Sequence, residues 1–326
     1  MPKPKQLVAG IDLGGTNIQA GVVQLSGSGE ATVLGRGKRK THADEGLEGV
    51  LGRVLEGLEA ACEEAKVRPK DLRALGIGAP APVDPEAGTV LEAVNLRWND
   101  VPLAEILREK FAGGLPVAVD NDVNAAVYGE WRCGAGAGVT DLLGIWLGTG
   151  VGGGLILAGR LYHGALLTAG EIGHMTLFPR APVGMRSLEQ CCSRTAIARR
   201  LAALVRANHP SLLTELSKGE VGEIKSKTIA KAYQADDALT RQVVDDGAEL
   251  VGIAAASAVT LLGLPRVVLG GGLSEALGEP FVERVREATR RNVFPRRLRT
   301  VDVVASTLMD DAGVIGAALI AAERAG

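Results

Sequence analysis

The chain has 326 residues, room for two domains at roughly 150 residues each and too long for a small disulfide scaffold. Apolar residues make up 46% and charged residues 23%, which excludes both disorder and a fibrous repeat. Lys plus Arg (36) against Asp plus Glu (38) leaves a formal charge of −2, so no bulk positive field draws nucleic acid.

The amino-terminal MPKPKQLVAGIDLGG runs almost at once into a glycine turn, without an apolar stretch of signal-peptide length. Nowhere do about 18 apolar residues run uninterrupted, so no membrane partner is expected. Cys62 and Cys133 stand singly and Cys191 and Cys192 are adjacent, which suits a reducing, cytoplasmic setting better than a disulfide framework. Residues 6–11 read as a buried strand, Asp12–Thr16 as a tight turn and Ile18–Gln24 as a second strand. From Leu47 to Ala65 apolar residues recur at three and four, the signature of an amphipathic helix. Leu75–Ala79 reads as a strand ended by APAPVDP, and Val101–Phe111 as a helix behind a capping Asp100. Val117–Val119 reads as a strand ending at Asp120-Asn121-Asp122, with a helix over Asn124–Glu130.

The second half opens with DLLGIWLGTGVGGGLILAG, again strand, glycine turn and strand. Aligning Gly10 with Gly144 pairs Leu13 with Leu147 and Gly14 with Gly148, a faint internal duplication. Helical spacing follows over Thr195–Ala207 and Ala238–Leu262, then a strand at 266–272, a helix near Phe281–Asn292, a strand at Val301–Ala305 and a closing helix over about Ala312–Glu323. The pattern predicts two α/β domains with a cleft where strand ends face each other.

Glycine turns follow strands at Asp12–Thr16, Gly148–Gly154 and Gly270–Gly272. Such turns expose consecutive N–H groups that cradle phosphate oxygens, although any one of them alone is read as well as a plain tight turn. GxxxxGK[ST] is absent, which excludes a Walker loop. Gly148–Gly153 matches GxGxxG, but a strand and not a helix is expected after it, so a nicotinamide fingerprint is disfavoured.

Ordered along the whole chain, AGIDLGGTNIQAGVV, GIGAPAPVD, NLRW, VDNDVNAAVYGE, WLGTGVGGGLIL, AGEIGHM, LEQCCSRTA, VVLGGGLS and DDAGVIGAAL resemble the ROK family of the actin-like ATPase superfamily. The resemblance implies a two-domain actin-like ATPase (ribonuclease H-like) α/β fold with an interdomain cleft. It places residues 1–120 plus a C-terminal helix of about 309–326 in a small domain and 121–308 in a large one. It also implies ATP-dependent phosphorylation of a hexose, with glucose to glucose 6-phosphate favoured. Fructose, N-acetylglucosamine, N-acetylmannosamine and a non-catalytic sugar-binding regulator are the alternatives. By the same resemblance Asp122 is the general base, while Asn95, Asn121, Glu171, His174 and Glu189 bind sugar. Read from the residues alone, Asp122 serves equally as a helix cap, Glu189 as a surface carboxylate and His174 as a loop histidine. Asp12 then positions Mg²⁺, with Gly14, Gly15, Thr16 and Asn17 on the phosphates, Gly148, Thr149 and Gly150 opposite, and Gly271 and Gly272 against adenosine.

Three departures from the family pattern stand out. MTLFPRAPVGMRSL, between His174 and Glu189, lacks the family's zinc cysteines, so structural zinc is expected to be absent, the loop to be held by packing, and Cys191 and Cys192 to be buried thiols. Ala81 replaces a glycine between Pro80 and Pro82, and Asp120 replaces the commoner Glu. Repressors of the family carry an amino-terminal DNA-binding domain, for which about six residues ahead of the first strand are too few, so no nucleic-acid partner is expected. A homodimer or homotetramer is the expected assembly.

Overall fold

In the computed structural model, which describes residues 5–26, 29–111, 114–217 and 224–325, the chain divides into two units, each with its own apolar core. Most of the stretch ahead of the first strand, on which the expectation about a DNA-binding domain rested, lies outside the described residues. The first unit comprises residues up to Gly138, Leu161–Ala169 and Asp310 onward; the second comprises Val139–Arg160 and Gly170–Met309.

In the first unit β1 (Gln6–Leu13) and β2 (Asn17–Leu25) pair antiparallel, and β3 (Ala31–Lys40) continues the meander. Helix α1 (Gly46–Ala65) buries Val50, Leu51, Val54, Leu58 and Cys62, the stripe expected from its spacing, against this meander. Strand β4 (Leu75–Ala79) then lies parallel to β1. A small sheet of β5 (Val83–Asp84), β6 (Thr89–Ala93) and β7 (Trp98–Val101) precedes α2 (Leu103–Lys110). The helix begins later than expected, because Val101 is taken up in pairing with Val90, and Pro102, which suits a helix start, stands at the cap in place of Asp100. Strand β8 (Val117–Asn121) completes the sheet order β3-β2-β1-β4-β8, and α3 (Asp122–Cys133) follows without a linker.

The second unit opens with β9 (Leu142–Leu147) and β10 (Val151–Leu157), an antiparallel pair followed by β11 (Arg160–Leu161). After α4 (Leu188–Cys192), α5 (Arg194–Arg206), α6 (Leu213–Leu216), α7 (Ser226–Gln234) and the long α8 (Ala238–Leu262), β12 (Arg266–Gly270) returns parallel to β9. Then α9 (Gly272–Leu277), α10 (Glu279–Asn292) and β13 (Asp302–Ala305) give the order β11-β10-β9-β12-β13. Both sheets thus order their strands third, second, first, fourth, fifth, the repetition hinted at by Gly10 and Gly144. The strand expected to reach residue 272 stops at Gly270, where Gly271, at φ 87°, turns the chain into α9.

The last helix, α11 (Ala312–Arg324), is buried along most of its length and packs on β1, β4 and α3 of the first unit. Glycine makes this approach feasible: a Cβ on Gly10 would fall 1.9 Å from the Val314 carbonyl oxygen, and one on Gly76 1.8 Å from that of Ala317. Helix α3 packs on α11, β4 and β8 and so belongs to the first unit, although the sequence reading began the second domain at residue 121. Among the described residues no helix is long and apolar enough to cross a membrane.

Candidate functional site

The first glycine turn is fixed from three sides. Gly14 N–H donates to the Asn17 carbonyl at 3.0 Å, and a side chain on Gly14 would meet that oxygen at 2.9 Å. Thr41, buried just beyond β3, donates its hydroxyl to the Gly14 carbonyl (2.7 Å) and its N–H to that of Thr16 (3.0 Å). Lys40 Nζ reaches Asn17 Oδ1 at 2.8 Å. Asn95, on the turn between β6 and β7, lies over Gly15, where a Cβ would touch it at 3.4 Å. Gly14, Gly15, Thr16, Asn17 and Asn95 are therefore brought together with Asp12 at the end of β1.

Asp12 is pushed up to about 6, first by burial and then by the nearby Asp310. Its carboxyl abuts the start of α11, where a Cβ on Gly313 would lie 3.0 Å from Oδ2. A carboxylate crowded by a second carboxylate is a hard-oxygen donor set that fits Mg²⁺, so Asp12, with Asp310 beside it, would hold the ion.

At the next corner of the same sheet, β8 hands over to α3. Asn121 is the cap: its Oδ1 accepts the Asn124 N–H at 3.0 Å while its Nδ2 donates to the Ala81 carbonyl at 3.1 Å. Capping thus falls to Asn121 and not to Asp122, and one lone pair and one N–H of the Asn121 amide are left for a ligand. Asp122, half-buried, is the first helical residue, and its Oδ1 accepts the Val123 N–H at 2.8 Å. Gly78 on β4 admits this turn, since a Cβ there would come within 2.9 Å of the Asp122 Cα. Beneath it Asp120 is buried, and its carboxylate meets His163 Nε2 at 2.9 Å.

In the second unit Gly148 N–H donates to the Gly150 carbonyl at 2.9 Å, and Arg194 N–H to that of Gly148 at 3.0 Å. Thr149 is gripped twice, its hydroxyl by Arg194 at 3.0 Å and its carbonyl by the Thr195 hydroxyl at 2.8 Å. Glu189 lies across this turn: Oε2 accepts the Val151 N–H at 2.9 Å and occupies the space of a side chain on Gly150, 2.2 Å away. It is neither a free surface carboxylate nor remote from the second glycine turn. Glu171 and His174, both exposed, flank a short turn packed on β10, with His174 Nε2 3.9 Å from Glu171 Oε2. Gly271 packs on Leu147, next to the loop, where a Cβ would meet backbone atoms at 2.7 Å, and Gly272 opens α9. Beside Thr149, Arg194 also enters a cavity of about 400 Å³ whose lining adds Arg199, Arg206 and Lys225. GxGxxG is followed by β10, so the dinucleotide arrangement is indeed not formed.

Sequence and structure comparisons place the chain among known proteins. Residues 8–324 match the family model of the ROK family. The chain belongs to the ROK family. It is 34% identical to a glucokinase of Halalkalibacterium halodurans over 94% of this chain and 92% of that one. It is also 31% identical to a xylose repressor of Caldicellulosiruptor bescii, over 95% of this chain and 76% of the repressor. A ROK glucokinase from Streptomyces griseus, solved with glucose and AMPPNP, superposes with a TM-score of 0.85 at 33% identity, covering 97% of this chain and 99% of that one.

Where the ROK pattern has its cysteine run, hydrogen bonds and not packing alone hold the loop. Leu177 and Phe178 N–H groups both reach the Arg186 carbonyl, Arg186 Nε donates to Ala181, and Ser187 and Gln190 form a capping box. Cys192 is buried, which pushes its thiol up, but Cys191 is only half-buried, its Sγ 3.5 Å from the Met185 carbonyl. Among the described residues no group of three or more His, Cys, Asp or Glu side chains is gathered to hold a metal. Lys40, Thr41, His163 and Arg194 escaped the sequence reading; only the basic end of β3 and the position of Arg194 in LEQCCSRTA hinted at two of them.

Proposed function

We propose that this ROK-family protein is a glucokinase that transfers the γ-phosphoryl group of ATP to the 6-hydroxyl of glucose. The observation that carries the reading is its whole-length likeness to glucokinases, among them the enzyme solved with glucose and AMPPNP. Asp122 takes the proton of the sugar hydroxyl, the oxygen forms its bond to the γ-phosphorus, and the bond to the bridging oxygen breaks to release ADP. N–H groups of Gly14–Asn17 and Gly148–Gly150 bind phosphate oxygens, and Gly271 and Gly272 leave space for the adenosine. Asp12, with Asp310 beside it, would hold a Mg²⁺ ion, which would supply neutralisation of phosphate charge. Asn95, Asn121, Glu171, His174 and Glu189 hold sugar hydroxyls, and Arg194 adds positive charge to the phosphate side.

The four cysteines are free thiols, which supports a cytoplasmic setting. We place the chain in a homodimer or homotetramer; exposed Leu261, Leu262 and Phe294 support an apolar contact surface. Coupled ADP release across a panel of hexoses, with Asp122→Asn as control, tests the reading. It requires sugar-dependent release that is greatest with glucose and lost in the Asn variant. The other outcome of the test is a sugar sensor without turnover, the chain being similar also to a xylose repressor. Sugar binding by calorimetry with no ADP release would select it.

A further inference from the structure

We infer that His163 is a positioning residue for Asp122, acting through Asp120; the inference rests on the kinase reading above. Asp120 is 2% exposed, and a carboxylate so buried must be compensated by donors. Among the described residues it has three: the Asn121 N–H at 2.8 Å, Asn124 Nδ2 at 3.2 Å, and His163 Nε2 at 2.9 and 3.1 Å from the two oxygens. The first two belong to the β8–α3 corner itself and move with it. His163 alone comes from a distant part of the chain, the segment Leu161–Ala169 that rejoins the first unit after β11. That segment is closed on itself, with Ala169 N–H donating to the His163 carbonyl at 3.0 Å and Gly164 at φ 73°, so the imidazole is presented from a formed loop.

The corner that His163 braces carries Asn121, whose side chain starts α3, and Asp122, whose carboxylate must come within hydrogen-bond reach of a hydroxyl. Misplacement by about 1 Å costs such a group up to roughly a hundredfold in rate. Without the imidazole, Asp120 keeps only the Asn121 and Asn124 donors that travel with it, and the corner loses the restraint that reaches it through the Asp120 carboxylate, keeping the Asn121–Ala81 bond. The chain then runs from this loop through Gly170 to Glu171.

Compare wild type with His163→Ala, His163→Gln, Asp120→Asn and the Ala/Asn double variant, measuring kcat, KM for ATP and amide hydrogen exchange at residues 121–124. The Ala variant is expected to lose about tenfold or more in kcat with KM for ATP unchanged, and to exchange faster at the corner. Gln, which retains a side-chain N–H donor, should recover most of the rate, and the double variant should be no slower than the slower single one. A kcat within twofold of wild type in the Ala variant, or losses that multiply in the double variant, overturns the inference. If the Ala variant does not fold, Gln decides: near-normal rate supports the proposal, and a loss equal to that of Asp120→Asn overturns it. Should wild type release no ADP with any hexose, the kinase reading fails separately, and unchanged exchange at 121–124 in the Ala variant then refutes the bracing role as well.

Discussion

At residue scale, Asp122 can be exchanged for an isostere of the same shape. Its neighbour Asn121 caps α3, and the amide oxygen of an Asn at 122 can still accept the Val123 N–H. Asp122→Asn should therefore leave thermal stability within about 0.5 kcal/mol of wild type, as is usual away from buried features, while glucose-dependent ADP release falls by about 10²–10⁴. Parallel melting curves and initial rates check both halves; a variant that keeps its rate removes the general base from the mechanism. Arg194 makes a different prediction. Its guanidinium is held by the Thr149 hydroxyl and lines a cavity with three further cations, so under the proposed function its charge acts on the ATP phosphates. Arg194→Ala should raise KM for ATP about tenfold, the worth of one charge-assisted hydrogen bond, and leave KM for glucose unchanged in steady-state kinetics. Asp122 and Asp12 could be singled out from the sequence as candidates because a short motif holds each of them. His163, Arg194 and Thr41 could not, because they act across long stretches of chain on groups that local spacing does not reveal.

At element scale the same distinction holds for the fold. The stripe of α1 and the buried runs of β1 and β4 could be read directly, since their apolar residues carry the period of the element. Strand β3 could not: its inward face is built from Gly35 and Gly37, where side chains would strike the α1 backbone at Ala61 and Gly57. A strand that packs by lacking side chains has no alternation to detect. Strands β5 to β7 escaped for another reason, being only 2 to 5 residues long in a Pro- and Asn-rich stretch. The glycine faces also show what holds α11 in place. With Gly76 of β4 buried against the Ala317 backbone of α11, Gly76→Ala cannot be met by a rotamer change and must lift the helix from the sheet. A loss of about 3 kcal/mol is expected, the upper range for overpacking, read by urea unfolding; Gly52→Ala on α1, where a Cβ meets nothing within 4 Å, should be neutral or slightly stabilising.

For the whole molecule, the pH dependence of stability can be argued from Asp12, a half-buried carboxyl whose surroundings raise it well above the usual aspartate range. With the folded value near 6 against 3.8 for an ordinary aspartate in water, the folded chain binds the proton more tightly than the unfolded chain does. Below about pH 4 both states are protonated and Asp12 costs nothing. Between about 4 and 6 the folded state holds more protons, so stability falls as pH rises, and above 6 the full penalty applies. That penalty is of the order of 3 kcal/mol, at 1.36 kcal/mol per pH unit. Asp12→Asn removes the buried charge, so the nucleotide-free variant should melt above wild type at pH 8 and together with it near pH 4. Added Mg²⁺ and ATP should then stabilise wild type at pH 8 far more than the variant, because a divalent cation at the carboxylate offsets the very charge that burial penalises. Melting temperatures over pH 4 to 8, with and without Mg²⁺-ATP, decide the matter. A variant that parallels wild type at every pH would mean that Asp12 is ionised without cost in the folded chain, and that a cation relieves no burial penalty there.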